Sequence, residues 1–276
     1  MTERYAVIGN PVAHSKSPQI HMMFAEQTAQ DMSYEKLLAP IDGFADTIKQ
    51  FIAEGGRGAN VTLPFKLEAY DLAGELSQRA RHARAANTLS FIGNQIQADN
   101  TDGLGLVRDI KVNREFDLAG KRVLLMGAGG AARGVLLPLL ESRPAILVIA
   151  NRTVNKALRL AQSIQHQPDA SQTVVSGQGY GDLAGQNFDL VINATSSSLS
   201  DTLPPLPDGI FARDSLAYDM MYGKGLTSFL AFAESQNAHC LSDGLGMLVE
   251  QAAASFNIWT GARPETQPVI SALRRG

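Results

Sequence analysis

A lysine in the first turn of a helix is locally misplaced, because the amide dipoles there disfavour a cation. In Ala59-Asn60-Val61-Thr62-Leu63-Pro64-Phe65-Lys66 a strand ends at the polar Thr62, Pro64 opens a helix, and Lys66 falls in its first turn. Breaches of a local rule concentrate at functional sites, so Lys66 is either a catalytic or binding lysine or an ordinary solvated one. A second group of polar residues, Asp99-Asn100-Thr101-Asp102-Gly103, follows a hairpin. There Asp102 either anchors an Asx turn or belongs to an active-site loop. A third lies in Asn10-Pro11-Val12-Ala13-His14-Ser15-Lys16-Ser17-Pro18. Ser17 precedes a proline at the first helical position and reads as an N-cap, a role not open to Ser15. Two hydroxyls at a helix start alternatively hold a carboxylate or a polyol, and His14 is equally ambiguous.

The most specific signal lies near the midpoint, in Arg122-Val123-Leu124-Leu125-Met126-Gly127-Ala128-Gly129-Gly130-Ala131-Ala132-Arg133-Gly134. It reads strand, turn, helix, which lifts the glycine pattern above a bare match. Gly127 permits the tight turn, Gly129 lets backbone approach a pyrophosphate, and Ala132 allows close helix–strand packing. The next strand, Ala145 to Ala150, ends in Asn151-Arg152-Thr153 with Lys156 close behind, where an NAD-specific fold usually offers an acid. A guanidinium there suits a 2′-phosphate, so the expectation is NADP over NAD; the plainer alternative is an arginine capping a surface turn. Phe188 to Asn193 is a further strand, and the loop Asn193-Ala194-Thr195-Ser196 at its end should approach the nicotinamide side.

Other elements must carry these residues. Strands at Tyr5–Gly9, Ser33–Ala39, up to Thr62, Asn87–Ile92 and Gln95–Ala98 alternate with helices at Pro18–Gln30 and Gly43–Glu54, and Gly55-Gly56-Arg57-Gly58 reads as a turn. Leu104 to Val112 is expected to link two halves. Beyond it, strands near 123, 145, 172 and 188, with a helix over 155–165, predict a parallel doubly wound sheet. Ser196 to Pro207 is a loop rich in Ser and Pro, Ser215 to Met220 is another strand, and Leu226 to Ser235 is a helix. His239 reads as a packing residue. In the last long helix Met247 belongs to an apolar face, and Gln251, one turn further on, puts an amide on that face that needs a partner.

With 276 residues, 45% hydrophobic and 18% charged, the chain has room for two soluble domains. A net charge of −3 offers no basic field, so no nucleic-acid or anionic-membrane partner is expected. The lone cysteine, Cys240, excludes an internal disulfide framework and a cysteine-built zinc cluster, fits a reducing cytoplasm, and reads as core. No apolar signal core or membrane-length segment is evident, and a homodimer stays open.

Taken together, Gly9-Asn10-Pro11 with His14-Ser15-x-Ser17-Pro18, Asn60-Val61-Thr62-x-Pro64-x-Lys66, Asn87-Thr88, Asn100-Thr101-Asp102-Gly103, the Gly127 loop, Asn151-Arg152-Thr153, Asn193-Ala194-Thr195, Asp219-Met220-x-Tyr222 and Asp243-Gly244-Leu245-Gly246-Met247 resemble the shikimate dehydrogenase family over nearly the whole chain. The resemblance implies an α/β protein with two domains and a cleft between them. Residues 1–103 and 245–276 would form an α/β substrate domain, and 104–244 a Rossmann-type NADP domain. It implies that Lys66 and Asp102 form the catalytic pair and that Ser15, Ser17, Thr62, Asn87, Tyr222 and Gln251 bind shikimate. The loop Gly127, Ala128, Gly129, Gly130 and Ala131, with Asn151, Arg152, Thr153, Lys156, Thr195, Met220, Gly244 and Met247, would hold NADP. Reduction of the 3-dehydroshikimate ketone needs a hydride and a proton; a lysine ammonium can stabilise the oxyanion and give the proton, while the carboxylate orients it or shares the proton load, which leaves the formal acid open between Lys66 and Asp102. Three departures stand out: His21-Met22 where His-Asn is frequent, Lys156 where arginine is frequent, and Gln78 where an acid is frequent. A quinate/shikimate dehydrogenase using NAD, a folate- or aminoacyl-related dehydrogenase of the same build, and a catalytically inactive nucleotide-binding regulator are the competing readings.

Overall fold

Strand β1 (Glu3–Gly9) is the second strand of a six-stranded sheet whose order brings four polar loops to one end of the strands. The elements that follow are α1 (Ser17–Thr28), β2 (Met32–Leu38), α2 (Phe44–Ala53), β3 (Gly56–Val61), α3 (Lys66–Leu72), β4 (Glu75–Leu76), α4 (Gln78–Ala83), β5 (Thr88–Ile92), β6 (Gln95–Asp99) and α5 (Asp102–Arg108). The sheet order is β2-β1-β3-β5-β6-β4. β1 and β3 run parallel, so their C-terminal ends lie together. β5 is antiparallel to β3 with Asn60 opposite Thr88, and β6 is antiparallel to β5 with Thr88 opposite Asp99. The start of β5 and the end of β6 therefore join the ends of β1 and β3. The serine loop, Thr62–Lys66, Asn87 and Asn100–Asp102 all leave the sheet there.

This structure is a computed structural model, and it describes residues 2–165, 172–195, 203–223 and 225–275. It divides into two compact units, Met1–Gly105 with Leu248–Gly276, and Leu106–Met247. In the first unit, Phe44, Ile48 and Phe51 recur at helical spacing on α2 and bury against Ala6, Ile8, Ala59, Val61, Phe65 and Leu89.

The second unit contains β7 (Arg122–Met126), α6 (Gly130–Glu141), β8 (Ile146–Ala150), α7 (Val154–Gln165), β9 (Val174–Gln178), β10 (Phe188–Asn193), β11 (Phe211–Asp219), α8 (Ser228–Ser235) and β12 (Cys240–Ser242). Helix α9 (Leu245–Thr260) starts in this unit and continues into the first, which also holds α10 (Gln267–Arg275). The strands pair in parallel in the order β12-β11-β10-β7-β8-β9. Successive residues of β7 bury on opposite faces, Val123 and Leu125 in one apolar cluster, Leu124 and Met126 in the other. Burial on both faces explains why the strands read as near-continuous apolar runs. The order reverses between β7 and β10, so the Gly127 loop and Ala194-Thr195 emerge at the switch point where such sheets bind ligands.

Several sequence expectations change. Ser17 is not the N-cap: Lys16 holds that position without a side-chain bond, and Ser15 Oγ accepts the Ser17 amide at 3.3 Å. The capping role thus passes to the serine that had none. Gly56–Gly58 belong to β3 rather than to a turn, because they continue the ladder with β1. Cys240 and His239 are exposed, since β12 is a three-residue edge strand with one neighbour. The link after α5 widens into a π-helical turn, Asp109–Asn113. Of the loop from Ser196 to Pro207, residues 196–202 lie outside the described residues. Among the described residues no helix is long and apolar enough to cross a membrane.

Candidate active site

Lys66 opens α3 and Asp102 opens α5. The carboxylate has a favourable place at a helix start and the ammonium an unfavourable one, and the structure joins them, Lys66 Nζ donating to Asp102 Oδ2 at 2.5 Å. Their side chains are 28% and 10% exposed, so the lysine side of the pair remains reachable. The other carboxylate oxygen, Oδ1, accepts from Asn87 Nδ2 at 2.9 Å. The same amide nitrogen lies 2.9 Å from Thr101 Oγ1 and 3.1 Å from Gln251 Oε1. Asn87 Oδ1 accepts the Thr101 amide at 2.8 Å, while Gln251 Nε2 is spent on the Leu248 carbonyl at 2.9 Å. The amide on the apolar face of α9 thus has its partners, and four expected site residues, Lys66, Asp102, Asn87 and Gln251, form one hydrogen-bonded group.

The serines form a second group, with Ser15 Oγ donating to Ser17 Oγ at 3.2 Å. Thr62 reaches the base of their loop through backbone: its amide donates to the Ile8 carbonyl at 2.9 Å, and the Asn10 amide to the Leu63 carbonyl at 3.0 Å. A Cβ on Gly9 would stand 2.4 Å from Thr62 Cγ2, so only glycine lets these two strand ends meet. Tyr222 belongs to the other unit, where burial raises its phenol above the usual value.

Beneath these groups lies a buried layer that sequence reading passed over as a functional support. Asn60 Oδ1 accepts from Tyr34 Oη at 2.7 Å and His21 Nε2 at 3.1 Å, and its Nδ2 donates to the Asn87 carbonyl at 3.1 Å and Ser255 Oγ at 2.9 Å. Ser255 Oγ in turn lies 2.8 Å from Thr88 Oγ1. The one available signal was spacing: Ser255 follows Gln251 by one helical turn. His21 is fully buried and stacks on Tyr34 at 4.2 Å, and burial lowers its pKa from 6.5 to about 3, against the pull of the Asn60 bond. The imidazole is neutral and takes no charge at working pH.

In the second unit the nucleotide candidates are mostly backbone and open space. Gly127 has φ +107, which only glycine adopts freely, and an added Cβ would stand 3.0 Å from the Ala194 carbonyl oxygen. A Cβ on Gly129 or Gly130 would meet nothing within 4 Å. Ala128 is buried, Ala131 is exposed at the first turn of α6, and Ala132 is fully buried against the sheet. Arg152, Thr153 and Lys156 are exposed, and Asn151 Nδ2 closes their turn on the Thr153 carbonyl at 2.9 Å. Burial raises the Tyr180 phenol to about 12, against the pull of the Arg152 charge. Thr195 is held by Asn193 Oδ1 at 2.7 Å, and the Met220 amide donates to the Asn193 carbonyl at 3.0 Å. A Cβ on Gly244 would lie 2.2 Å from the Met220 carbonyl oxygen, so two more candidates are fixed by close contact. Met247 packs into the apolar cluster of this unit.

A doubly wound parallel sheet with an open glycine turn, and a second unit bearing a lysine–carboxylate pair, define a dinucleotide-linked dehydrogenase with separate nucleotide and substrate units. The chain belongs to the shikimate dehydrogenase family. Residues 7–89 match the shikimate dehydrogenase substrate binding domain, 110–200 the shikimate/quinate 5-dehydrogenase family, and 244–274 the shikimate 5′-dehydrogenase C-terminal domain. A shikimate dehydrogenase (NADP(+)) of Nitrosospira multiformis is 62% identical over 274 residues, 99% of this chain and 98% of its own. The crystal structure of an Ael1 enzyme from Pseudomonas putida is 50% identical, with TM-score 0.92 over 99% of this chain and 98% of that one. A shikimate 5-dehydrogenase from Thermus thermophilus, solved with NADP(H) and shikimate, is 30% identical, with TM-score 0.85 and 99% of each chain covered.

Proposed function

We propose that this chain catalyses the reversible, NADP-linked reduction of 3-dehydroshikimate to shikimate, a step of the shikimate pathway of aromatic amino-acid biosynthesis, in the cytoplasm. The observation that carries the reading is the Lys66–Asp102 pair at 2.5 Å, with Asn87 and Gln251 bonded around it. The named relatives support the substrate and the coenzyme. We assign the substrate to the first unit and NADP to the second.

The residues of the second unit fit a dinucleotide. The space over Gly129 and Gly130 would be filled by any side chain there, and the free amides at the start of α6 face it. Arg152, with Lys156 and Thr153, would hold the 2′-phosphate, Asn151 would fix their turn, and Thr195, Met220, Gly244 and Met247 would line the nicotinamide end. Bound NADP supplies or takes the hydride. In the first unit, Ser15, Ser17 and Thr62 offer hydroxyls to the substrate carboxylate, while Asn87 and Gln251 take its hydroxyls; the family resemblance also assigns Tyr222 to the substrate. Lys66 Nζ donates to the ketone oxygen, stabilises the charge that grows there and gives up the proton; in the reverse direction it receives one. Asp102 holds the ammonium in position.

The test is NADPH formation from shikimate and NADP by purified protein, with quinate and NAD in parallel. Turnover with shikimate and NADP, and much less with the other pairings, is the expected result. Turnover with quinate would favour the broader shikimate/quinate activity named by the family of residues 110–200. Silence with all four pairings while NADP still binds would overturn the reading in favour of a non-catalytic binder.

A further inference from the structure

Asp99 ends β6, three residues before Asp102, and its carboxylate takes four donors. Arg79 grips it at two points, Nε to Oδ1 at 3.1 Å and Nη2 to Oδ2 at 2.6 Å. Ser77 Oγ and the Asn100 amide each donate to Oδ1 at 2.6 Å. Neither charged side chain is freely solvated, Arg79 being 32% and Asp99 15% exposed. The clamp fastens the first turn of α4 to the root of the Asn100–Asp102 loop.

Two short paths run from it to the reacting pair. On one, Asn100 Oδ1 accepts the Asp102 amide at 3.1 Å, and Asn100 Nδ2 donates to the Ala85 carbonyl at 3.0 Å. On the other, the Asp99 carbonyl accepts the Asn87 amide at 3.0 Å, and the Asn87 side chain holds Asp102 Oδ1. Between these residues the Ala86 amide donates to the Lys66 carbonyl at 2.8 Å. The segment joining α4 to β5 therefore holds Lys66 by backbone and Asp102 by side chain, and the Arg79–Asp99 fork sets where that segment lies relative to the loop.

We propose that Arg79, acting through Asp99, is a positioning residue for the Lys66–Asp102 pair; the inference rests on the dehydrogenase activity proposed above. Arg79 touches none of the reacting groups. Its fork matches both carboxylate oxygens, which a lysine at the same position reaches at only one point. A displacement of about 1 Å at a reacting group can cost about 100-fold in rate, so partial loosening is expected to cost roughly tenfold.

The experiment measures kcat, KM for shikimate and the solvent deuterium isotope effect on kcat for wild type, Arg79→Lys and Arg79→Gln, each per folded molecule as counted by near-ultraviolet circular dichroism. Arg79→Gln is expected to lower kcat roughly tenfold, to leave KM within about twofold, and to raise the isotope effect because the proton step has become slower. Arg79→Lys should fall between it and wild type. If Arg79→Gln does not fold, Arg79→Lys alone decides, with a smaller kcat loss and a raised isotope effect expected. Unchanged kcat per folded molecule, or a loss with an unaltered isotope effect and no recovery in Arg79→Lys, would mean a purely structural clamp and would overturn the inference. Wild type inert toward shikimate would instead overturn the proposed activity, and this inference with it.

Discussion

The two units prepare for their ligands by opposite means. In the first, the candidate site is saturated: Asp102, Asn87, Thr101, Gln251, Asn60 and Ser255 bond to one another, and the chemistry depends on side chains held by other side chains. In the second, the key positions are defined by what is missing, namely side chains at Gly129 and Gly130, or by a backbone angle, as at Gly127. Proton transfer tolerates little misplacement, and the residues proposed for it here are fixed by bonds within the protein itself. A dinucleotide brings its own charge and shape, and the cradle proposed for it needs only backbone amides and a cation at its rim.

Four measurements test this contrast. Lys66→Ala should cut kcat by about 100-fold or more while KM for shikimate changes less, as is usual for a general acid–base group, and near-normal turnover would remove Lys66 from the chemistry. Next, Arg152→Asp should lower kcat/KM with NADP by roughly 10- to 100-fold and spare NAD, since charge-assisted hydrogen bonds are worth about 1.5–3 kcal/mol. An unchanged coenzyme ratio would sink the 2′-phosphate assignment.

The third concerns the saturated side. Folded His21 titrates near 3 and unfolded histidine near 6.5, so between these values the unfolded chain binds the extra proton. Stability contributed by the neutral ring is full above about pH 6.5 and is lost as pH falls. At pH 5 the loss is about 2 kcal/mol. Urea midpoints at pH 7.5 and pH 5 should show wild type losing that much more than His21→Gln; parallel losses would contradict the burial of His21. The smallest effect probes the open side. Gly129 has an extended backbone and empty space around it, so Gly129→Val should leave the melting temperature of the free protein nearly unchanged, within about 0.5 kcal/mol in stability, as for a surface change. KM for NADP should rise about tenfold, by analogy with a lost ligand contact. A fall in melting temperature with unchanged KM would show that the space serves the fold rather than the ligand.

The same contrast explains what could be read from the sequence. The glycine turn was legible because its requirements are local: strand, turn and helix are consecutive, and each glycine answers a backbone need. Lys66 stood out because it broke a helix rule, and the structure resolves the breach with Asp102, 36 residues away. Such a pairing leaves no mark at short range, so Asp102 could not be told from a turn residue without the family resemblance. Asn60, Thr101 and Ser255 were harder still, since a buried polar residue is recognised only once burial is known. Ser17 misled for the complementary reason: Ser-Pro is a good capping signal, but Ser15 stands close enough to take the amide first. Cys240 and His239 were misplaced because an apolar neighbourhood does not reveal that its strand is short and at a sheet edge.

Gln251 closes on Asn87 across 164 positions of chain, and the whole second unit is strung between them. During synthesis, therefore, the segments that carry Asn87, Lys66 and Asp102 leave the ribosome long before the helix that completes their bonding. The second unit, one uninterrupted run from Leu106 to Met247, has all its parts first. Nascent chains that end just past Met247, in the first turn of α9, hold a finished nucleotide fold tied to an unfinished partner whose buried Asn60 and Thr88 still lack Ser255. Birth order thus runs against reading order: the half that begins the polypeptide is the last to be complete.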